Sequence, residues 1–249
     1  MLKVFLNIFF FITLWELICQ ILNIPDFLLP APSKIAQTVL LIKNELLVHT
    51  WTTSLETGLG FLLGSTSGIL LGIACSLAKT LEKAILPYAI GIKTIPIVAI
   101  APLLTIWFGT SIISKTILSA LICFFPVLIN TLRGLKNIEI EQLYFFRSLA
   151  ASEWQIFWLL RWKNALPSIF SGLKISVVFA VTGAIVAEFA GAKSGIGFCI
   201  MMASYQLEVP KMFVYIIISI LIGLNGYFIV SVIEKLCVPW REQVEKNIY

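Results

Sequence analysis

Long apolar runs separated by short polar stretches dominate the hydrophobic pattern of this chain. A helix needs roughly 20 apolar residues to cross the hydrocarbon core of a bilayer, and six runs reach that length. A β-barrel would instead show short segments of alternating hydrophobicity, and these runs do not alternate. The pattern therefore predicts an all-α integral membrane protein with six transmembrane helices, at about residues 4–22, 54–78, 84–108, 112–132, 167–190 and 212–236.

Small residues and prolines distinguish two of these runs. In the second run, a glycine recurs every four residues, which predicts close packing of that face against another helix; the glycines are Gly60, Gly64, Gly68 and Gly72. The third run contains Pro96 and Pro102, which free backbone carbonyl groups that lipid cannot satisfy. We therefore expect the third helix to face protein or a water-lined path.

The segment 191–211 starts with glycines and continues into a short apolar stretch. Because that stretch is too short to span a bilayer, it predicts a re-entrant or interfacial helix.

Residues 133–166 form a basic, aromatic loop between the fourth and fifth spans. The loop predicts two short helices, the first at about 139–149 and the second after Ser152. Ser152 and Gln155 have the spacing of a capping box. Pro167 is expected to open the fifth membrane helix at its first turn. We expect the loop tryptophans to pack it against the membrane helices.

Composition and charge support the membrane assignment and orient the chain. Hydrophobic residues make up 59% of the chain and charged residues 12%, about half the usual charged fraction. If the N-terminus is cytoplasmic, 12 of the 18 Lys and Arg residues lie on the cytoplasmic side, as the positive-inside rule requires. Both termini and the loop 133–166 are then cytoplasmic, and the net charge of +5 reflects topology rather than nucleic-acid binding.

Catalytic and metal chemistry are not predicted. His49 is the only histidine, and the five cysteines are scattered, so we expect no metal site and no catalytic residues. The segment "GTSIISKT" (109–116) is one residue away from a phosphate-binding loop. It follows a membrane span and lies outside in the predicted topology, so we do not expect it to bind a nucleotide.

Ionisable residues inside a membrane span are paired or functional by default, and three of them stand out here: Glu56 near the start of the second span, Lys93 inside the third and Glu188 at the end of the fifth. With Lys93 and Glu188, the prolines Pro96 and Pro102 form the candidate transport pathway. One hypothesis for their role is an ion-coupled secondary transporter that uses Glu188 and Lys93. This hypothesis predicts inverted repeats, which the sequence does not show. A membrane-embedded enzyme would need clustered His, Cys or Asp residues, which are absent.

The stretch "RSLAASEWQIFWLL…ALPSIFSGLKI" (147–175) resembles the cytoplasmic loop of ABC-importer permeases, whose signature is EAA…G…I.LP. Further stretches, including "HTWTTSLETGLGFLLG" and "IVAEFAGAKSGIGFCI", are similar to the nitrate, sulfonate, taurine and pyrimidine-precursor branch in the same order. The resemblance implies the type I ABC importer permease fold and a single transmembrane domain, 1–249, in a bacterial inner membrane. It implies a homodimer, two ATPase subunits that use ATP, an extracytoplasmic solute-binding protein, and no cofactor bound by this chain.

The resemblance also implies roles for individual residues. The third and fifth helices would line the path, and the turn around Ala150 would contact the ATPase; its residues are Leu149, Ala150, Ala151, Ser152, Glu153 and Trp154. Ala150 stands where the family has glycine, so either this turn needs no positive φ or the ATPase groove has diverged with it. The implied solute is a thiamine-precursor pyrimidine or riboflavin, otherwise a sulfonate, taurine or nitrate.

Overall fold

The structure is a computed structural model that describes residues 2–240, without the side chains of residues 2–5, 92 and 93. Every regular element in this part of the chain is a helix. The helices are α1 Leu2–Ile21, α2 Pro32–Leu41, α3 Lys43–Leu77, α4 Lys79–Thr94, α5 Ile97–Phe108, α6 Ile112–Lys136, α7 Ile140–Ser148, α8 Glu153–Phe189, α9 Ile196–Tyr205 and α10 Val209–Cys237.

Four helices in the described residues, α3, α6, α8 and α10, are long and apolar enough to cross a membrane. The predicted spans 4–22 and 84–108 overlap the shorter apolar helices Leu6–Ile21 and Ile97–Phe108. The short helix expected within 191–211 is present as α9.

The core of the bundle is α6, which packs along both α3 and α8. The glycine row of α3 lies against α6 so closely that a β-carbon has no room. A β-carbon at Gly68 would lie 2.8 Å from the carbonyl oxygen of Phe124, and one at Gly72 would lie 2.8 Å from Cβ of Thr131. The close packing predicted from the glycine spacing is therefore confirmed.

Buried hydrogen bonds join α8 to α6. The Ser176 hydroxyl donates to the carbonyl oxygen of Cys123 at 3.0 Å, and the Ser119 hydroxyl donates to that of Ala180 at 3.0 Å. Both hydroxyl groups are fully buried. Because an unpaired hydroxyl in an apolar interior costs free energy, these bonds fix the register of the two helices.

The prediction of one helix over 84–108 is wrong, because the structure has two. α4 ends at Thr94 and α5 begins at Ile97. Pro96 lies at the break, where it has no N–H to donate and disfavours helical angles at Ile95. Pro102 is tolerated inside α5.

The prediction that the fifth membrane helix begins near Pro167 is also wrong. α8 begins at Glu153 and continues through a π-helical turn, Phe157–Arg161, and through Pro167 to Phe189. Phe157 and Ala165 pack with Leu135 in one buried cluster. Burial of this face holds the chain helical across the proline, since tertiary packing supplies most helix stability.

We predict that Gly68→Ala lowers the thermal stability of the protein in detergent. Its new β-carbon would meet a backbone oxygen, which cannot rotate away, and overpacking of this kind costs about 1–3 kcal/mol. Gly58→Ala, on the same helix, is the matched control because no atom lies within 4 Å of the new β-carbon. Equal melting temperatures for the two variants would contradict the close α3–α6 packing.

Candidate functional site

The α7–α8 turn, residues 149–154, comprises the link between the two helices and the first two residues of α8, and it contains a left-handed residue. Ala150 has a φ of 54°, in the region that favours glycine. A residue with a β-carbon there costs roughly 1–2 kcal/mol. Of the two readings left open for Ala150, the first is therefore wrong: this turn does use a positive φ, and alanine adopts it.

A capping box closes the start of α8, as its sequence spacing predicts. The Gln155 N–H donates to the Ser152 hydroxyl at 3.3 Å, and the Ser152 N–H donates to the Gln155 side-chain oxygen at 2.8 Å. Glu153 lies in the first turn, where the helix dipole favours an acid, and its carboxylate pairs with Arg147 at 3.5 Å.

Two large apolar side chains are exposed at the α7–α8 turn. Leu149 is 64% exposed and Trp154 is 70% exposed. The side chains that hold this region to the bundle are instead Ile156, Phe157 and Leu160, all buried. The expectation that the loop tryptophans supply this packing is therefore wrong for Trp154, which stacks over Phe157 at a ring-centroid distance of 6.3 Å.

At the other end of α8, Glu188 is 1% exposed and binds the start of α9. Its carboxylate accepts hydrogen bonds from the Gly197 N–H and from the Thr53 hydroxyl, the latter at 2.6 Å. Thr53 in turn accepts the Ile196 N–H at 2.7 Å.

His49 completes this arrangement. Its Nδ1 accepts the Gly195 N–H at 3.0 Å. Three consecutive N–H groups at the start of α9, from Gly195 to Gly197, are therefore satisfied by side chains of α3 and α8. We call these side chains, His49, Thr53 and Glu188, the α9 anchor.

Further charged groups surround the α9 anchor. Glu56 is buried next to Glu188, and Lys115 lies close enough to act electrostatically on both. The Lys115 ammonium group donates to the carbonyl oxygens of Thr110 and, at 3.0 Å, Ser111. A cation beside two carboxyl groups offsets part of the cost of burying them.

A second polar cluster adjoins the anchor. Glu45, His49 and Cys199 bring potential ligand atoms within 4.8 Å of one another, a grouping that sequence spacing did not reveal. His49 uses its Nδ1 lone pair on Gly195, so its neutral tautomer carries the proton on Nε2. That nitrogen faces Glu45 at 4.0 Å, and the Tyr215 hydroxyl donates to Glu45 at 3.0 Å. Two of the three groups thus already accept a hydrogen bond from outside the cluster, His49 from the Gly195 N–H and Glu45 from the Tyr215 hydroxyl.

Two adjoining crevices run along α6 and α8. The first, of about 640 Å³, has walls that include Phe124, Phe125, Phe179, Ser67 and Thr182. The second, of about 970 Å³, shares Phe125, Pro126 and Phe179 with the first and continues to Asn130, Arg133 and Lys136.

The candidate pathway residues lie in different places. Pro96 precedes Ile97, which lines the first crevice. Pro102 is inside α5, while Lys93 belongs to α4 with a side chain outside the described part of the molecule. Glu188 does not line either crevice as described.

Sequence reasoning missed His49 and Thr53. A signal for them exists, since His49, Thr53, Glu56 and Gly60 follow one another at spacings of four, three and four. They therefore continue the glycine face of α3 with polar side chains. Their partners, however, lie more than 130 residues away in the chain.

Known proteins resemble this chain over most of its length. The model of the family "binding-protein-dependent transport system inner membrane component" matches residues 64–237. The formylaminopyrimidine transport permease protein ThiX of Halalkalibacterium halodurans is 33% identical over 92% of each chain. The putative aliphatic sulfonates transport permease protein SsuC of Bacillus subtilis is 33% identical over 94% of this chain and 86% of SsuC.

A chain of the MetNI methionine ABC transporter, solved in inward-facing conformations, superposes with a TM-score of 0.63 at 17% identity, over 77% of this chain and 97% of that one. The all-helical fold of a type I ABC importer permease, which the sequence predicts, is therefore confirmed.

We predict that Ser152→Ala frays the start of α8. Loss of an N-cap costs about 1 kcal/mol, so backbone amides of residues 153–156 should exchange hydrogen faster. Ser152→Thr keeps the hydroxyl and is the matched control. Unchanged exchange in Ser152→Ala would show that the capping box does not stabilise this helix end.

Proposed function

This chain belongs to the family of binding-protein-dependent transport system inner membrane components, and we propose that it couples ATP hydrolysis by a separate ATPase to the import of a small polar solute. The observation that carries the coupling proposal is the α7–α8 turn. Its exposed Leu149 and Trp154 stand at the end of a 37-residue helix that runs on through the bundle. Its residues 149–154 would fit a groove of the ATPase.

The assembly we propose has two copies of this permease, two ATPase subunits and one extracytoplasmic solute-binding protein. The basic residues of the loop 133–166 put the α7–α8 turn and both termini in the cytoplasm. α9, at the opposite end of α8, then faces the outside, where the solute-binding protein docks. ATP is used by the ATPase subunits, and this chain binds no cofactor.

The crevices along α6 and α8 are the proposed solute path. Four of the elements that line the first crevice are α4, α5, α6 and α8, which correspond to the third, fourth and fifth predicted spans. The ion-coupled alternative has no such support, because the Glu188 carboxylate is occupied by the start of α9.

The proposed solute is a flat, uncharged heteroaromatic compound such as a thiamine-precursor pyrimidine, with riboflavin the next candidate. Three phenylalanines and two hydroxyl residues line the first crevice, and none of its described lining residues is charged. Aromatic rings stack on flat solutes, whereas a sulfonate, taurine or nitrate would need a cationic partner, which the first crevice lacks; the cations Arg133 and Lys136 line the second crevice. Among relatives, ThiX carries the pyrimidine name and SsuC the sulfonate name at equal identity.

We predict that Trp154→Ala weakens binding of the ATPase subunit about tenfold or more, as loss of a buried aromatic anchor at an interface does. The measurement is co-purification from detergent followed by titration of the ATPase. Trp51→Ala is the matched control, since Trp51 is also 70% exposed but lies in α3 near α9. Equal affinities for both variants would place the ATPase contact elsewhere.

We predict that cells carrying the complete transporter take up a labelled aminopyrimidine and that excess taurine does not compete. Phe179→Ala should reduce this uptake because its ring lines both crevices. Phe228→Ala, on the exposed face of α10, should leave uptake unchanged. Efficient taurine uptake by the wild type would reject the proposed solute and leave the permease function standing.

A further inference from the structure

α8 runs as one continuous helix from the α7–α8 turn to the α9 anchor. It begins at the capping box of Ser152 and includes Glu188 in its last turn. At about 1.5 Å per residue, its 37 residues reach about 55 Å, more than the thickness of a bilayer. A displacement at the α7–α8 turn therefore has a direct mechanical route to the start of α9.

The middle of α8 is fastened to α6. In addition to the two hydroxyl bonds to α6, two glycines of α8 lie against that helix: β-carbons there would lie 2.9 Å from Cβ of Asn130 at Gly172, and 2.8 Å from Cα of Ser119 at Gly183. Interdigitated packing of this kind moves between discrete arrangements rather than bending continuously. α8 is thus suited to move as a rod.

α9 depends on its anchor for its position. The connection from α8 contains Gly191 and Gly195, both with positive φ of 116° and 113°, so the chain enters α9 through two glycine turns. A β-carbon at Gly197 would lie 2.8 Å from a Glu188 carboxylate oxygen and 2.7 Å from the Ile185 carbonyl oxygen. The glycines let the start of α9 sit directly on α8.

Thr53 is the junction of the anchor. Its hydroxyl donates to Glu188 at 2.6 Å and accepts the Ile196 N–H at 2.7 Å, so it uses its hydrogen and a lone pair at once. It is 0% exposed, which leaves water no access to replace either bond. One hydroxyl group therefore connects α3, α8 and α9.

We propose that Thr53 and Glu188 are positioning residues through which α8 transmits the movement of the α7–α8 turn to α9. ATP-driven displacement of α8 at the α7–α8 turn then changes the position of α9 at the other end of α8, where the solute enters. The inference rests on the proposed function, because it requires an ATPase at the α7–α8 turn. It adds the residues that carry the signal to the far end.

The test compares Thr53→Val with Thr53→Ser in the complex of the chain with its co-purified ATPase. Valine has the shape of threonine without the hydroxyl, whereas serine retains it. Hydrogen exchange of residues 195–200 is measured with and without ATP and a non-hydrolysed ATP analogue. We expect nucleotide to change this exchange in the wild type and in Thr53→Ser, and to leave it unchanged in Thr53→Val.

Transport gives a second readout in proteoliposomes that contain the ATPase and the solute-binding protein. We expect Thr53→Val to hydrolyse ATP at the basal rate but to import solute about tenfold more slowly, the size of a typical coupling effect. Thr53→Ser should import like the wild type. Glu188→Gln, which keeps one acceptor oxygen, should behave like Thr53→Val. It replaces Thr53→Val in both measurements if that variant does not assemble.

Three outcomes overturn the inference. The first is a nucleotide response at residues 195–200 that survives in Thr53→Val, and the second is wild-type import by that variant. The third is parallel loss of basal hydrolysis, assembly and import in both Thr53→Val and Glu188→Gln, which marks a merely structural role. If the wild-type complex itself shows no ATP-dependent import, the proposed function fails instead, so the two failures are distinguishable.

Discussion

Backbone N–H groups at a helix start inside an apolar environment must find acceptors within the protein, and this constraint organises the α9 end of the molecule. The first N–H groups of any helix lack intrahelical partners, and lipid offers none. α9 meets the requirement with His49, Thr53 and Glu188 rather than with a local cap. Burial of the Glu188 carboxylate, costly on its own, follows from that need. The same bonds tie a short helix to two long ones.

Close approach of the long helices makes this arrangement possible. The glycine row of α3 brings its backbone against α6, and the polar anchor residues continue the same face of α3. α6 in turn holds α8 through buried hydroxyl bonds. Geometry at the anchor therefore depends on packing several turns away. A change that spreads α3 from α6 would also move Thr53 relative to Glu188.

The sequence predicted what depends on local pattern and failed where distant packing decides. Apolar run length, glycine spacing and the Ser152–Gln155 spacing correctly indicated the long helices, their contact and the cap. Proline shows the limit, because Pro96 separates two helices whereas Pro167 lies inside one. The difference is the buried cluster of Phe157 and Ala165, which no local signal contains. For the same reason, Glu188 drew attention as an intramembrane acid, but its partners did not.

The two ends of α8 are constrained in different ways. At the α7–α8 turn, Ala150 adopts a backbone angle that costs roughly 1–2 kcal/mol, and Leu149 and Trp154 expose large apolar side chains. At the α9 end, the N–H groups of the buried residues Gly195, Ile196 and Gly197 all have side-chain acceptors. The first end is therefore poised to respond to a partner, while the second resists any movement that does not preserve its bonds. When α8 is displaced at the α7–α8 turn, the hydrogen bonds of the α9 anchor hold only if α9 moves with it. The displacement is therefore transmitted from one end of α8 to the other.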